Sequence, residues 1–151
     1  MLNKGMNMEE IAETFELPAS LNNEFYNRGY YGSINHNVKA VAQRYIGWWD
    51  GNPANYFKYP DTEYATRFVA SMGGEGNVLT KAVESFNKGD FRWTVELTRH
   101  LVFSNPMNLK ARYLQADALE QLAYSFESGK CMVRLNNPYL RRHRQGVPPR
   151  L

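Results

Sequence analysis

The sequence predicts an all-α fold of about six antiparallel helices. Two observations carry this. Apolar residues recur at helical spacing in two stretches, residues 38–49 and 77–126, and Gly or Pro clusters such as Gly51-Asn52-Pro53, Gly73-Gly74 and Gly89 punctuate the chain between helices. The gaps between the later runs are also short, which makes successive helices antiparallel neighbours.

Each element has a local cause. Asn7 with Glu10 three positions on reads as a capping box, opening a short helix to about Phe15 that turns Ile11, Ala12 and Phe15 inward. Pro18 stops it, and Ser20 caps a second short helix over residues 21–27. Residues 28–37, Arg-Gly-Tyr-Tyr-Gly-Ser-Ile-Asn-His-Asn, carry two helix-breaking glycines and read as a structured loop. From Asn37, Val38, Val41, Ala42, Tyr45, Ile46 and Trp49 form one helical face, ended by Asp50-Gly51-Asn52-Pro53. Pro60 starts the next helix, with Asp61 and Glu63 complementing its dipole, and Gly73-Gly74 ends it.

Residues 77–128 are the most regular. Helices are expected near 77–87, 91–103 and 109–126, split by Gly89-Asp90-Phe91 and Ser104-Asn105-Pro106. A Gly-Asp-aromatic turn, a Pro one helix later and small residues on the helix after it resemble tetratricopeptide-like helical hairpins. Such units normally stack about three deep, so the earlier helices are expected to cover the ends. Residues 130–151 mix Asn, Pro and Arg without apolar periodicity and read as a weakly ordered basic tail.

Composition narrows the function classes. The chain has 151 residues, near the size of one domain, with 43% hydrophobic and 22% charged residues, which excludes a fully disordered chain. Net charge is +3, and residues 134–151 hold five Arg and no acid, so the rest is close to neutral and nucleic acid is not an expected partner. Residues 8–27 have the outline of a DNA-reading helix pair, but the second helix offers little beyond Arg28 to a groove. A single cysteine, Cys131, excludes an internal disulfide and lacks the activating neighbour a nucleophile needs. No apolar run is long enough to span a bilayer, and Met1–Glu10 lacks the order of a signal peptide. His36, His100 and His143 are not spaced as zinc ligands; His100 reads as a packing or surface residue, and no metal site is expected in this chain.

The loop at 28–37 is the strongest candidate site. Arg28 offers a planar fork of donors to an oxyanion such as sulfate or phosphate, and Tyr30, Tyr31, His36 and Asn37 add polar groups around it. Spacing alone fits equally a buried turn whose Tyr hydroxyls and His36 are satisfied internally.

Further motifs resolve the choice by resemblance. Asn27-Arg28-Gly29-Tyr30-Tyr31-Gly32-Ser33, His36-Asn37-Val38-Lys39-Ala40-Val41, Gly47-Trp48, Asp50-Gly51-Asn52-Pro53-Ala54, Met72-Gly73-Gly74, Gly89-Asp90-Phe91-Arg92-Trp93 and Glu127-Ser128-Gly129 resemble, in this order, the alkyl sulfatases of the metallo-β-lactamase type. The likeness spans roughly residues 7–129. It implies three parts: residues 1–37 as connecting helices and active-site-edge loop, 38–129 as an all-helical dimerisation domain, and 130–151 as a divergent tail.

In that family a catalytic domain holding zinc through an H-x-H-x-D-H motif lies upstream, and a sterol-carrier-like domain follows. The resemblance implies homodimerisation, a metallo-β-lactamase-like catalytic partner domain, and an alkyl sulfate substrate cleaved to alcohol and sulfate. It also implies that Arg28 holds the sulfate, while Tyr30, Tyr31, His36 and Asn37 line the site edge. A charged contact of that kind is worth about 1.5–3 kcal/mol net, enough to position a substrate and too little to replace a metal centre. No catalytic residue and no zinc ligand is expected among these residues. The departure after Gly129, at Lys130-Cys131-Met132-Val133, reads as a truncation or frame error. The alternative is a free-standing tetratricopeptide-like interaction module.

Overall fold

The computed structural model describes residues 1–125, 128 and 129. Among these residues every regular element is helical. The α-helices are α1 (Met8–Thr14), α2 (Ala19–Asn22), α3 (Ile34–Ile46), α4 (Asp61–Ser71), α5 (Glu75–Asn87), α6 (Phe91–Ser104) and α7 (Leu109–Ser125). The contacts resolve into two compact units, one of residues 1–58 with Ser128 and Gly129, the other of residues 59–125. The expected tail at 130–151, Cys131 and His143 lie outside the described residues.

In the first unit α1 packs on α3. The capping box forms as expected: Glu10 N–H donates to Asn7 Oδ1 and Asn7 N–H to Glu10 Oε2, both at 2.9 Å. Ile11 and Ala12 are buried, Phe15 is exposed, and Asn35 Nδ2 donates to the Ala12 carbonyl at 3.2 Å, tying the start of α3 to α1.

Phe15 thus departs from its expected inward position, and three further expectations are corrected. The second helix covers only Ala19–Asn22, follows Pro18 without a side-chain cap and takes Ser20 inside it; a separate 3-10 turn holds Phe25–Asn27. Helix α3 begins at Ile34 rather than Asn37, because the Ser33 side chain caps it, so His36 and Asn37 sit on its first turn. The apolar face of α3 is mostly uncovered: Ala42 is buried, whereas Val41 is 57% and Tyr45 78% exposed.

After α3, Asp50 organises the turn. Its carboxylate accepts from the Asn52 amide at 3.0 Å and from Asn55 Nδ2, and these bonds hold its pKa below the usual carboxylate value. Trp48, Trp49, Tyr56 and Phe57 pack ring on ring around this turn, with neighbouring centroids 5.0–5.9 Å apart.

The second unit is a stack of helical hairpins. α6 packs against α4, α5 and α7. Its core joins Val69, Val78, Ala82, Leu97, Leu101 and Ala111, with Phe68, Met72 and Leu114 closing the margin. Asp90 caps α6 by accepting from Trp93 N–H at 3.1 Å, and Asn108 accepts from Ala111 N–H at 3.1 Å at the start of α7. Glu75, at the start of α5, accepts from Asn105 Nδ2 at 3.1 Å and Asn108 Nδ2 at 2.9 Å, which fixes the α6–α7 turn against α5. Gly73 needs its left-handed φ of +88°, and a Cβ there would stand 2.5 Å from Asn77 Nδ2.

Candidate functional site

The loop from Arg28 to Ser33 is built by its flanks. Asn27 Nδ2 donates to the Leu21 carbonyl at 3.1 Å, closing the 3-10 turn onto α2. Tyr30 N–H then donates to the Arg28 carbonyl at 2.8 Å, and the Tyr30 ring lies 5.5 Å from that of Phe25. On the far side, Ser33 accepts from His36 N–H at 3.2 Å and its Oγ lies 2.7 Å from His36 Nδ1. Gly32 gives room to Asn37, whose Oδ1 would stand 3.2 Å from a Cβ at that position.

The loop is also gripped from far along the chain. Ser128, fully buried, donates from Oγ to the Tyr31 carbonyl at 2.9 Å, and Gly129 N–H donates to the Tyr30 carbonyl at 3.1 Å. Two successive donors thus engage two successive carbonyls.

The five expected site residues are gathered into one segment. Arg28, Tyr30 and Tyr31 stand on the loop, and His36 and Asn37 on the adjoining first turn of α3. All five side chains are exposed, so the alternative of a buried turn does not describe them, although Ser33 does satisfy His36 Nδ1. The pinned backbone thus carries a guanidinium, two phenols, an imidazole and a carboxamide close together, groups able to donate hydrogen bonds. Ser128 and Gly129 were not legible as part of this site. They occur in the Glu-Ser-Gly motif, but no local spacing links them to a loop 97 residues away.

Beside the α1–α3 contact lies an apolar pocket of about 570 Å³, lined by Ile11, Phe15, Ile34, Asn37, Val38 and Val41 among others.

His100 is a packing residue. It is buried, its ring lies 4.1 Å from Phe68 and 5.4 Å from Tyr64, and Nε2 stands 3.2 Å from Glu96 Oε1. Among the described residues, no group of three or more His, Cys, Asp or Glu side chains is placed to share a metal ion. Nor is any helix there long and apolar enough to cross a membrane.

Fold and site together define a helical-hairpin protein that carries a braced Arg-Gly-Tyr-Tyr-Gly loop ahead of its hairpins in sequence. Comparison with known proteins makes the class specific. A family model described as alkyl sulfatase dimerisation matches residues 7–141, past the Gly129 limit expected from the motifs. The chain is 53% identical over 129 residues to a linear primary-alkylsulfatase of a Pseudomonas species, covering 85% of this chain and 19% of that protein. It is 48% identical to the Saccharomyces cerevisiae alkyl/aryl-sulfatase BDS1, covering 99% of this chain and 23% of that one. The solved structure of the stereoselective inverting sec-alkylsulfatase Pisa1 from a Pseudomonas species superposes with a TM-score of 0.91 at 44% identity, covering 97% of this chain and 23% of that one.

The chain therefore belongs to the alkyl sulfatase dimerisation family. It spans 19–23% of the length of these relatives, and membership supports homo-oligomerisation.

Proposed function

We propose that this chain pairs two copies of an alkyl sulfatase and lends its anion loop to the sulfate pocket of a metallo-β-lactamase-like catalytic domain. In that assembly Arg28 holds the sulfate group of an alkyl sulfate ester, and Tyr30, Tyr31, His36 and Asn37 form the pocket edge. Zinc, held by the catalytic domain, supplies the hydrolytic chemistry that releases alcohol and sulfate. The residues of this chain bind and orient; a single Arg–sulfate contact of about 1.5–3 kcal/mol net suits that role and no larger one.

The observation that carries this reading is the family match across residues 7–141 with the Arg-Gly-Tyr-Tyr-Gly loop inside it. The free-standing interaction module is not favoured, since the relatives are alkylsulfatases. The test has two readouts on the purified chain. Light scattering at micromolar concentration is expected to show a homodimer. Dodecyl sulfate at submillimolar concentration is expected to stay intact, with or without added zinc. A clean monomer overturns the pairing, and zinc-dependent turnover overturns the division of labour.

A further inference from the structure

Ser128 is fully buried, yet its hydroxyl is spent on a distant loop. Its Oγ–H reaches the Tyr31 carbonyl at 2.9 Å, and the next amide, Gly129 N–H, reaches the Tyr30 carbonyl at 3.1 Å. Tyr30 is in turn the residue whose own N–H holds the Arg28 carbonyl at 2.8 Å. The Gly129 bond thus leads through both ends of the Tyr30 backbone to Arg28, and the Ser128 bond holds the next carbonyl of the same loop. Beyond Arg28 the chain passes Gly29, and three residues on it passes Gly32. Glycines lose more conformational freedom on ordering than other residues, so this loop needs external bonds to hold one shape.

We propose that Ser128, with the Gly129 amide, is a positioning residue of the anion loop, fixing the backbone from which Arg28 addresses sulfate. The inference rests on the reading of Arg28 given above and adds the residues that set its aim. Pre-ordering the loop lowers the entropy lost on binding, so part of the sulfate affinity resides in a residue outside the anion's reach. Linkage makes the coupling reciprocal: if the clamp favours sulfate binding, sulfate must tighten the clamp.

The experiment uses the whole chain, isotopically labelled, with inorganic sulfate as the probe and the Arg28 Nε–Hε resonance as the affinity readout. In the unaltered chain, saturating sulfate is expected to slow hydrogen exchange at the Gly129 amide while leaving the Leu97 amide in the α6 core unchanged. A purely structural Ser128 would leave both unchanged. Ser128→Ala is expected to weaken sulfate binding ~3- to 10-fold, as loss of one ordinary hydrogen bond predicts.

Arg28→Ala, followed through neighbouring loop amides, separates the two ideas. If it binds sulfate as well as the unaltered chain, the reading of Arg28 fails and the inference goes with it. If it abolishes binding while sulfate leaves Gly129 exchange unchanged, or Ser128→Ala binds normally, the positioning role is overturned and the Arg28 reading stands. Should Ser128→Ala fail to fold, the exchange measurement on the unaltered chain decides alone.

Discussion

The His100 imidazole on α6 lies 4.1 Å, centroid to centroid, from the Phe68 ring on α4, at an interplanar angle of 30°. Burial lowers its pKa below the ordinary value of 6.5, and Arg99 pushes the same way; the Glu96 carboxylate, 3.2 Å from Nε2, and Asp61 oppose them. Because the folded pKa is the lower one, the unfolded chain takes up the proton first as pH falls. The stabilisation is complete above about 6.5 and declines as pH drops through that value toward the folded pKa. His100→Phe is expected to remove this part of the pH dependence. Melting curves of both proteins between pH 5 and 8 check it.

Leu97 and Leu101 are fully buried where α6 meets the other helices of its unit. Truncating Leu97 to Ala deletes packed methyl groups and leaves a cavity, so it is expected to cost ~2–5 kcal/mol in urea unfolding. Phe57 is larger but 88% exposed. Phe57→Ala in the same assay is expected to cost less, about 0.5–1.5 kcal/mol, the worth of its edge contact with the Tyr56 ring.

Much of the architecture was legible because it is local. The Asn7–Glu10 box, the Asp90 cap and the Gly73–Gly74 stop each involve residues within a few positions of one another. Periodicity located the helices but could not say what covers them, which is why Val41 and Tyr45 are exposed although they share the expected inward face of α3. Long-range polar bonds left no trace in spacing. Asn105 and Asn108 reach Glu75 across 30 and 33 positions, and Ser128 reaches Tyr31 across 97. The candidate loop stands out through the Arg-Gly-Tyr-Tyr-Gly motif, whereas the Ser33 cap that puts His36 and Asn37 on a helix follows two glycines that read as loop.

Glu75 ties the α6–α7 turn to α5 through two side-chain amides. Glu75→Ala removes a charged acceptor from two part-buried donors, and such bonds are worth about 1.5–3 kcal/mol each before the loss is shared with water. The variant is expected to melt several degrees lower. Hydrogen exchange is expected to quicken at the first turn of α7, where Asn108 also caps Ala111.

Gly73 separates two costs that usually travel together. Its φ of +88° strains any residue with a side chain, and a Cβ would meet Asn77 Nδ2 at 2.5 Å. Gly73→Ala is therefore expected to destabilise the second unit by more than ~1 kcal/mol, since Ala at a positive φ costs more than the entropy it saves in the unfolded chain. Asn77→Ala removes the atom in the way but leaves the backbone angle as it is. The double variant should regain only the steric part, and the residual difference from Asn77→Ala alone measures the strain. Urea unfolding of the four proteins closes the cycle. Full recovery in the double variant would mean that Asn77, not the left-handed turn, is what requires glycine at this position.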